Sequence, residues 1–299
     1  MNHNRSLRLG IALILILLMA GCAPAKAESP LPTNTPVLPS AAPTLLPSPV
    51  LEEWDLLIIS DSSNWGMGQY YAKLIESDMN VKVNLHDCWV ATLATLRTLQ
   101  TLQNGGTWSS NVSDETCQKP LTDLVKEAEV MVLFGNPIGS NSPSGLDTCV
   151  AGGYSGKNQS TGFELYKETL LASCSPENWA TYKTNLGLLI DEIFKIREGR
   201  PLILRMTDFY IPAHSEWTQY GVDEVCTACI AAFSEAIRQV AEAHGVPVAD
   251  TMVGFNGEDY MSDPVDAGYI GPDRMHISDA GAQYIATLLQ QTGYEFAGK

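Results

Sequence analysis

Positive charge is scarce in this sequence. Its 299 residues include 18 lysines and arginines against 34 aspartates and glutamates, which gives a formal net charge of −16. A surface with this excess of acid repels phosphate backbones and anionic lipid headgroups. The composition therefore argues against a protein that binds nucleic acid, and against one held on an anionic membrane by charge alone.

Several catalytic and cofactor motifs are also missing. The sequence has no Gly-x-Ser-x-Gly, because the nearest match, residues 153–156, is followed by Lys157 where the final glycine belongs. This absence argues against the α/β-hydrolase fold. The histidines at positions 86, 214 and 244 lack the spacing of metal ligands, and no glycine-rich phosphate loop occurs. We therefore expect no metal and no cofactor.

The N-terminus has the pattern of an export signal. Arg5 and Arg8 precede an apolar run, Ile11 to Ala20, that is short for a membrane span. The run ends in Met-Ala-Gly-Cys22, which resembles the bacterial lipobox. We expect residues 1–21 to be a lipoprotein signal peptide and lipidated Cys22 to anchor the protein outside the cytoplasm. An ordinary cleaved signal with an incidental cysteine is the alternative.

Proline is concentrated just after this cysteine. Residues 23–50 hold eight of the seventeen prolines of the chain, and such a segment favours extended conformations over a buried core. We interpret residues 22–50 as a lipid-anchored linker. Residues 51–299 are long enough to form one well-buried domain.

Apolar runs typical of strands alternate with helical patterns along this domain. The predicted strands are Leu56–Ile59, Val81–Leu85, Val130–Phe134, Leu202–Met206 and Val246–Ala249. The predicted helices are Gly68–Ile75, Leu93–Leu102, Trp179–Ile196, Val225–Ala243 and Ala280–Leu289, the last with Ser278 as N-cap. Alternation of this kind predicts a parallel sheet with helices on both faces.

Three residues supply the parts of a Ser-His-Asp catalytic system. Ser62 follows the first strand, and Asp273 and His276 precede the last helix. A serine hydroxyl needs a base to take its proton, and an imidazole base needs a carboxylate to fix its tautomer. Alone, Ser62 reads as a helix cap and His276 as a solvated residue. Together, beyond the carboxyl ends of parallel strands, they predict a catalytic triad.

These motifs resemble the SGNH, or GDSL-type, hydrolase superfamily over about residues 54–293. Ser60-Asp61-Ser62 with Gly66 resembles the first block, Phe134-Gly135-Asn136-Pro137 the third, and Asp273 with His276 the last. The resemblance implies a three-layer α/β/α sandwich on a flavodoxin-like five-stranded parallel sheet. It also implies that Ser62 is the nucleophile, His276 the base and Asp273 its orienting carboxylate.

The resemblance implies an oxyanion hole as well, formed by Asn136 and the backbone N–H of Ser62, with Asn141 as an alternative to Asn136. The sequence departs from the family pattern at Ser60 and Phe134, where glycines are usual, and at Pro137, where aspartate is usual. The second block falls near residues 84–89 and has no glycine.

The expected function is hydrolysis of carboxylic esters, of small acyl groups or of acylated carbohydrates, at the cell surface. Trp65, Asp208 and Tyr210, and less specifically Trp217, are candidate substrate contacts. Residues 138–176 form a predicted insertion above the site. The alternative is a non-catalytic domain of the same fold that binds a surface glycan or protein, and the departures from the family pattern favour it.

Apart from Cys22, the chain has an even number of cysteines, as expected for disulfides in an exported protein. They are Cys88, Cys117, Cys149, Cys174, Cys226 and Cys229. Six cysteines allow 15 pairings, among which proximity favours Cys88–Cys117 and Cys149–Cys174. The Cys-x-x-Cys at 226–229 has redox-motif spacing but does not directly follow a strand, which favours a structural role.

Overall fold

Five parallel strands form the central sheet. The structure is a computed structural model that describes residues 51–90, 95–107, 115–134, 176–212, 214–220 and 223–297. The strands are β1 (Glu53–Asp61), β2 (Lys82–Val90), β3 (Val130–Phe134), β4 (Ile203–Thr207) and β5 (Val248–Ala249). Their order is β2-β1-β3-β4-β5, and every neighbouring pair is parallel. The predicted flavodoxin-like sheet is confirmed.

The edge strand β2 is longer than its apolar pattern indicates. It pairs with β1 in continuous register from Glu53↔Lys82 to Asp61↔Val90. The sequence predicted that β2 ends at Leu85, because polar side chains interrupt the apolar run beyond that residue. The backbone hydrogen bonds with β1 extend β2 through the segment in which the second SGNH block was expected.

Helices cover both faces of the sheet. Within the described residues they are α1 (Met67–Met79), α2 (Thr95–Gln103), α3 (Leu121–Glu127), α4 (Pro176–Arg197), α5 (His214–Tyr220), α6 (Asp223–Ala243), α7 (Thr251–Asn256) and α8 (Asp279–Gln291). All five predicted helices are present, and Ser278 caps α8 by accepting a hydrogen bond from the Gly281 N–H at 3.1 Å. The short helices α3, α5 and α7 were not predicted.

Alternation along the strands divides the core into two layers. Leu57 and Ile59 of β1 face the layer that contains α2, α3, α4 and α6, whereas Leu56 and Ile58 face the layer of α1 and α8. Successive side chains of a strand point to opposite faces, so a strand buried on both faces is apolar throughout. The result is the three-layer sandwich that the resemblance implied.

One predicted disulfide is confirmed. Cys88 of β2 is bonded to Cys117, with 5.5 Å between their Cα atoms. Cys226 and Cys229 are disulfide-bonded and buried on α6, which fits a structural role. Cys149 and Cys174 lie outside the described residues, so their pairing stays a prediction.

The predicted signal peptide (1–21) and linker (22–50) also lie outside the described residues, and these domain boundaries stay predictions. Within the described part of the chain, no helix combines the length and apolar character needed to cross a membrane.

Candidate active site

The loop after β1 places Ser62 at the carboxyl edge of the sheet. Asp61 ends the strand, and its Oδ1 accepts a hydrogen bond of 2.8 Å from the Ser63 N–H. This contact caps a single 3₁₀ turn, Ser62–Asn64. Gly66 then adopts φ = 86° before α1 begins, a conformation that favours glycine. The chain therefore turns sharply between strand and helix and presents the Ser62 hydroxyl at the turn.

Two buried side chains, one at the end of β4 and one just after it, hold this turn from two strands away. The Tyr210 hydroxyl donates to the Ser63 carbonyl at 2.9 Å, and Asn64 Nδ2 donates to Thr207 Oγ1 at 3.3 Å. Thr207 ends β4 and Tyr210 follows it. Burial raises the pKa of the Tyr210 hydroxyl well above its usual value, and the nearby carboxylates at positions 61 and 273 add to this effect. Tyr210 is therefore a hydrogen-bond donor throughout the physiological pH range.

The loop before α8 presents the acid and the base. An antiparallel bridge joins Ile270 to Ile277, and the Gly271 N–H donates to the His276 carbonyl at 2.8 Å. Arg274, at the tip, adopts φ = 57°, a left-handed conformation that is uncommon for residues other than glycine. This tight turn brings Asp273 and His276 onto the same side of the loop.

The structure brings the three predicted triad residues together in relay order. His276 Nε2 lies 3.0 Å from Ser62 Oγ, and His276 Nδ1 lies 2.6 Å from Asp273 Oδ2. The second carboxylate oxygen, Asp273 Oδ1, accepts the backbone N–H groups of Met275 at 3.1 Å and His276 at 3.0 Å. The predicted nucleophile, base and orienting acid are thus in hydrogen-bond contact across more than 200 residues of sequence.

Electrostatics keep the orienting carboxylate ionised. Partial burial alone would raise the pKa of Asp273, but hydrogen bonds from the His276 ring and from the backbone N–H groups of His276 and Met275 outweigh it and lower the pKa. The side chains are half exposed at Asp273 (50%) and one-third exposed at His276 (32%). An ionised Asp273 favours the His276 tautomer that carries its proton on Nδ1 and leaves Nε2 to accept the proton of Ser62.

A solved structure with a similar fold is that of a lipase from a goat rumen metagenome, which is 20% identical, with a TM-score of 0.55 over 81% of this chain and 98% of the lipase. An acetyl xylan esterase from Geobacillus stearothermophilus is 17% identical, with a TM-score of 0.48 over 82% of this chain and 97% of that one. No protein-family model matches the sequence, and no curated protein matches it significantly.

The fold is shared with the goat rumen lipase, and it is the three-layer fold that the resemblance to the SGNH hydrolases implies. Two of the residues that depart from the SGNH sequence pattern lie in the interior. Ser60 is buried, and Phe134 is buried and stacks on Phe209 with 5.4 Å between ring centroids. Their side chains therefore contribute to the core and do not cover the triad.

The remaining positions of the SGNH pattern fall outside the described residues or within β2. Asn136, its alternative Asn141, Pro137 and all of the predicted insertion except Pro176, which begins α4, lie in residues 135–175. The side-chain oxyanion donor therefore stays a prediction. Residues 84–89, where the second SGNH block was expected, lie within β2, and the assignment of that block stays a prediction.

Of the candidate substrate contacts, only Trp65 is on the surface, with 60% of its area exposed beside the nucleophile turn. Asp208 is 1% exposed, and its carboxylate accepts from Thr251 Oγ1 at 2.7 Å and pairs with Arg238 of α6. Tyr210 and Trp217 are also buried. The prediction of substrate contact at Asp208, Tyr210 and Trp217 is wrong, because all three side chains pack in the interior.

The sequence reasoning missed Asn64 and Thr207, which support the nucleophile turn. No motif singles out either residue, because their pairing depends on β4 lying two strands from β1. Among the described residues, no cluster of three or more histidine, cysteine or acidic side chains is arranged to hold a metal ion.

Proposed function

We propose that this protein is a serine esterase that hydrolyses carboxylic esters through an acyl-enzyme intermediate. The hydrogen-bonded series Ser62–His276–Asp273, with contacts of 3.0 and 2.6 Å, carries the proposal. These distances are within the range from which a base can accept the proton of a nucleophile directly. The fold is compatible with this chemistry but does not by itself specify it.

In the first half of the proposed reaction, Ser62 Oγ attacks the ester carbonyl carbon while His276 Nε2 takes the hydroxyl proton. The carbonyl oxygen becomes an oxyanion, and the Ser62 backbone N–H and the Asn136 side chain are the proposed donors to it. When the tetrahedral intermediate collapses, His276 returns the proton to the departing alcohol oxygen. The acyl group remains on Ser62.

In the second half, water attacks the acyl-enzyme, and His276 takes one of its protons. The second tetrahedral intermediate collapses with return of this proton to Ser62 Oγ. The carboxylic acid leaves, and the enzyme is regenerated. Asp273 stays ionised throughout and stabilises the imidazolium that forms in each half-reaction.

Hydrolysis of p-nitrophenyl acetate by the purified protein tests the proposal. We expect turnover in the native protein and a loss of about 10³-fold or more in kcat for Ser62→Ala and His276→Ala. Thermal melting and circular dichroism would show whether the variants remain folded. A folded native protein without turnover across a series of acyl chain lengths would contradict the proposal.

The alternative, a non-catalytic domain that binds a glycan or protein, predicts a different result. Binding would then survive Ser62→Ala, and no ester would be hydrolysed. A domain that only binds does not need a hydrogen-bonded triad. The side chains of Ser60 and Phe134, which depart from the family pattern, are buried and leave the triad contacts intact. We therefore favour the enzyme.

We also propose that the enzyme works at the cell surface, held by lipid on Cys22. The lipobox-like sequence before Cys22 and the proline-rich residues 23–50 support this location. Metabolic labelling with a palmitate analogue tests it. Label should be incorporated into the native chain and absent from Cys22→Ala, whereas an unlabelled native chain would contradict the anchor.

A further inference from the structure

A groove of about 510 Å³ is lined by residues from β2 and from the segments at the start of α1 and of α8. They include Trp65 and Gln69, at the start of α1, and Ile277 and Asp279, at the start of α8. The same two segments carry Ser62 and His276. Part of the lining of the groove is therefore next in sequence to the proposed nucleophile and base.

Helix α1 lies unusually close to the sheet next to the groove. A Cβ atom at Gly68 would lie 3.0 Å from Leu85 Cδ1, 3.1 Å from Ile58 Cγ1 and 3.5 Å from Asp87 Oδ2. Only a glycine lets α1 approach β2 this closely without displacing these side chains. Leu85 and Asp87 of β2 consequently line the groove together with the first turn of α1.

The walls combine an aromatic surface with acidic and amide groups. Trp65 is 60% exposed, and such an indole offers a flat apolar surface. The Asp87 carboxylate and the Gln69 amide are hydrogen-bonding groups that suit hydroxyls. Burial and the nearby Asp279 carboxylate raise the pKa of the Tyr70 hydroxyl. Among the described residues that line the groove, two are aspartates and none is lysine or arginine.

These features favour one class of ligand. A sugar ring has an apolar C–H surface that packs on an aromatic ring, and it has hydroxyls that donate to a carboxylate. An acyl chain would not use the polar groups of the groove, and burying it there would leave Asp87 in contact with hydrocarbon. An anionic group would be repelled by Asp87 and Asp279 and would find no cation among the described lining residues.

We propose that this groove binds an uncharged sugar ring of the ester substrate and discriminates against anionic substrates, with Trp65 as the stacking surface and Asp87 as the hydroxyl acceptor and charge filter. This inference rests on the proposed esterase function for its kinetic part. It narrows the substrate class to acylated neutral carbohydrates. It also assigns a role to Trp65 and Asp87 that the triad itself does not require.

The kinetic test compares three esters with the full-length protein: p-nitrophenyl acetate, a monoacetylated methyl glucoside and the matching monoacetylated methyl glucuronide. At low salt, kcat/KM for the glucoside should exceed that for the glucuronide by about tenfold. Trp65→Ala should lower kcat/KM for the glucoside about fivefold more than for p-nitrophenyl acetate. Asp87→Asn should reduce the preference for the glucoside over the glucuronide at least about threefold.

Phe296→Ala is the matched control, because Phe296 is also an exposed aromatic residue (61%) but does not line the groove. It should leave all three rates unchanged. Equal losses on all three esters in Trp65→Ala, or an unchanged charge preference in Asp87→Asn, would overturn the inference.

A binding measurement separates this inference from the proposed function. Ser62→Ala cannot form an acyl-enzyme but keeps the groove, so saturation-transfer NMR should detect the acetylated glucoside on Ser62→Ala. The signal should disappear in the double variant with Trp65→Ala. Absence of turnover in the native protein would contradict the esterase, whereas absence of this NMR signal would overturn the sugar site.

Discussion

Replacing Asp273 by asparagine removes the negative charge of the triad but keeps the hydrogen bonds that fix the conformation of its loop. Asp273 Oδ1 accepts the N–H groups of Met275 and His276, and an asparagine Oδ1 can accept both. The contact that changes is the one between Oδ2 and His276 Nδ1, at 2.6 Å. An Nδ2 group in that place favours the wrong imidazole tautomer, because it donates a hydrogen bond where the carboxylate accepted one.

The size of the effect follows from the loss of one charge-assisted hydrogen bond. Such a bond contributes about 1.5–3 kcal/mol, which corresponds to about 10-fold to 150-fold in rate. A fully buried triad aspartate, with the tautomer reversed, can contribute as much as about 10⁴-fold. The Asp273 side chain is 50% exposed, so water can solvate Nδ1 of the histidine in the variant. We therefore expect kcat to fall about 10-fold to 150-fold with little change in KM.

The assay is hydrolysis of p-nitrophenyl acetate by native protein and Asp273→Asn, with Asp266→Asn as the control. Asp266 is an exposed aspartate in the preceding loop, so its replacement makes the same change in net charge. The control should keep native kcat. A kcat for Asp273→Asn within about twofold of native, in a folded variant, would refute the relay as the source of activity.

Three further predictions concern the surroundings of the triad. Tyr210→Phe removes the donor to the Ser63 carbonyl, so it should lower the free energy of unfolding by about 1–1.5 kcal/mol. It should also reduce kcat more than it raises KM. An unchanged free energy of unfolding together with an unchanged kcat would contradict a supporting role for Tyr210. Asp208→Asn removes the charge that pairs with the partly buried Arg238. Thermal melting should show that the free energy of unfolding falls by about 3 kcal/mol. Cys88→Ser removes the disulfide to Cys117, which lies 29 residues further along the chain. Denaturant titration should show that the free energy of unfolding falls by about 3–4 kcal/mol. A fall below about 1 kcal/mol would contradict a stabilising role for this bond.

The sequence predicted the sheet from local patterns, and it predicted the contact of Ser62, Asp273 and His276 from their positions after parallel strands. The run Val130–Phe134 is apolar throughout and is buried on both faces, and its predicted bounds are those of β3. Ser278 was identified as a cap from its position before an apolar helical pattern, and it caps α8. Ser62, Asp273 and His276 were brought together by the rule that parallel strands end at the same edge.

The errors arose where tertiary contacts override local pattern. Polar residues in β2 hid its length, which pairing with β1 determines. Asp208 and Tyr210 follow a strand and were expected at the surface, yet they point inward to Thr251 and to the Ser63 carbonyl. No periodicity in one segment can show where a side chain meets an element more than 40 residues away in the sequence.

Covalent labelling of Ser62 tests the central claim most directly. A fluorophosphonate reacts with a serine hydroxyl only when a base activates it, so peptide mass spectrometry of the labelled native protein reports the relay without any assumption about the substrate. We predict a single phosphonylated serine, Ser62, and no labelling at this position in folded His276→Ala. Labelling of another serine, or equal labelling of Ser62 in native protein and His276→Ala, would contradict the account.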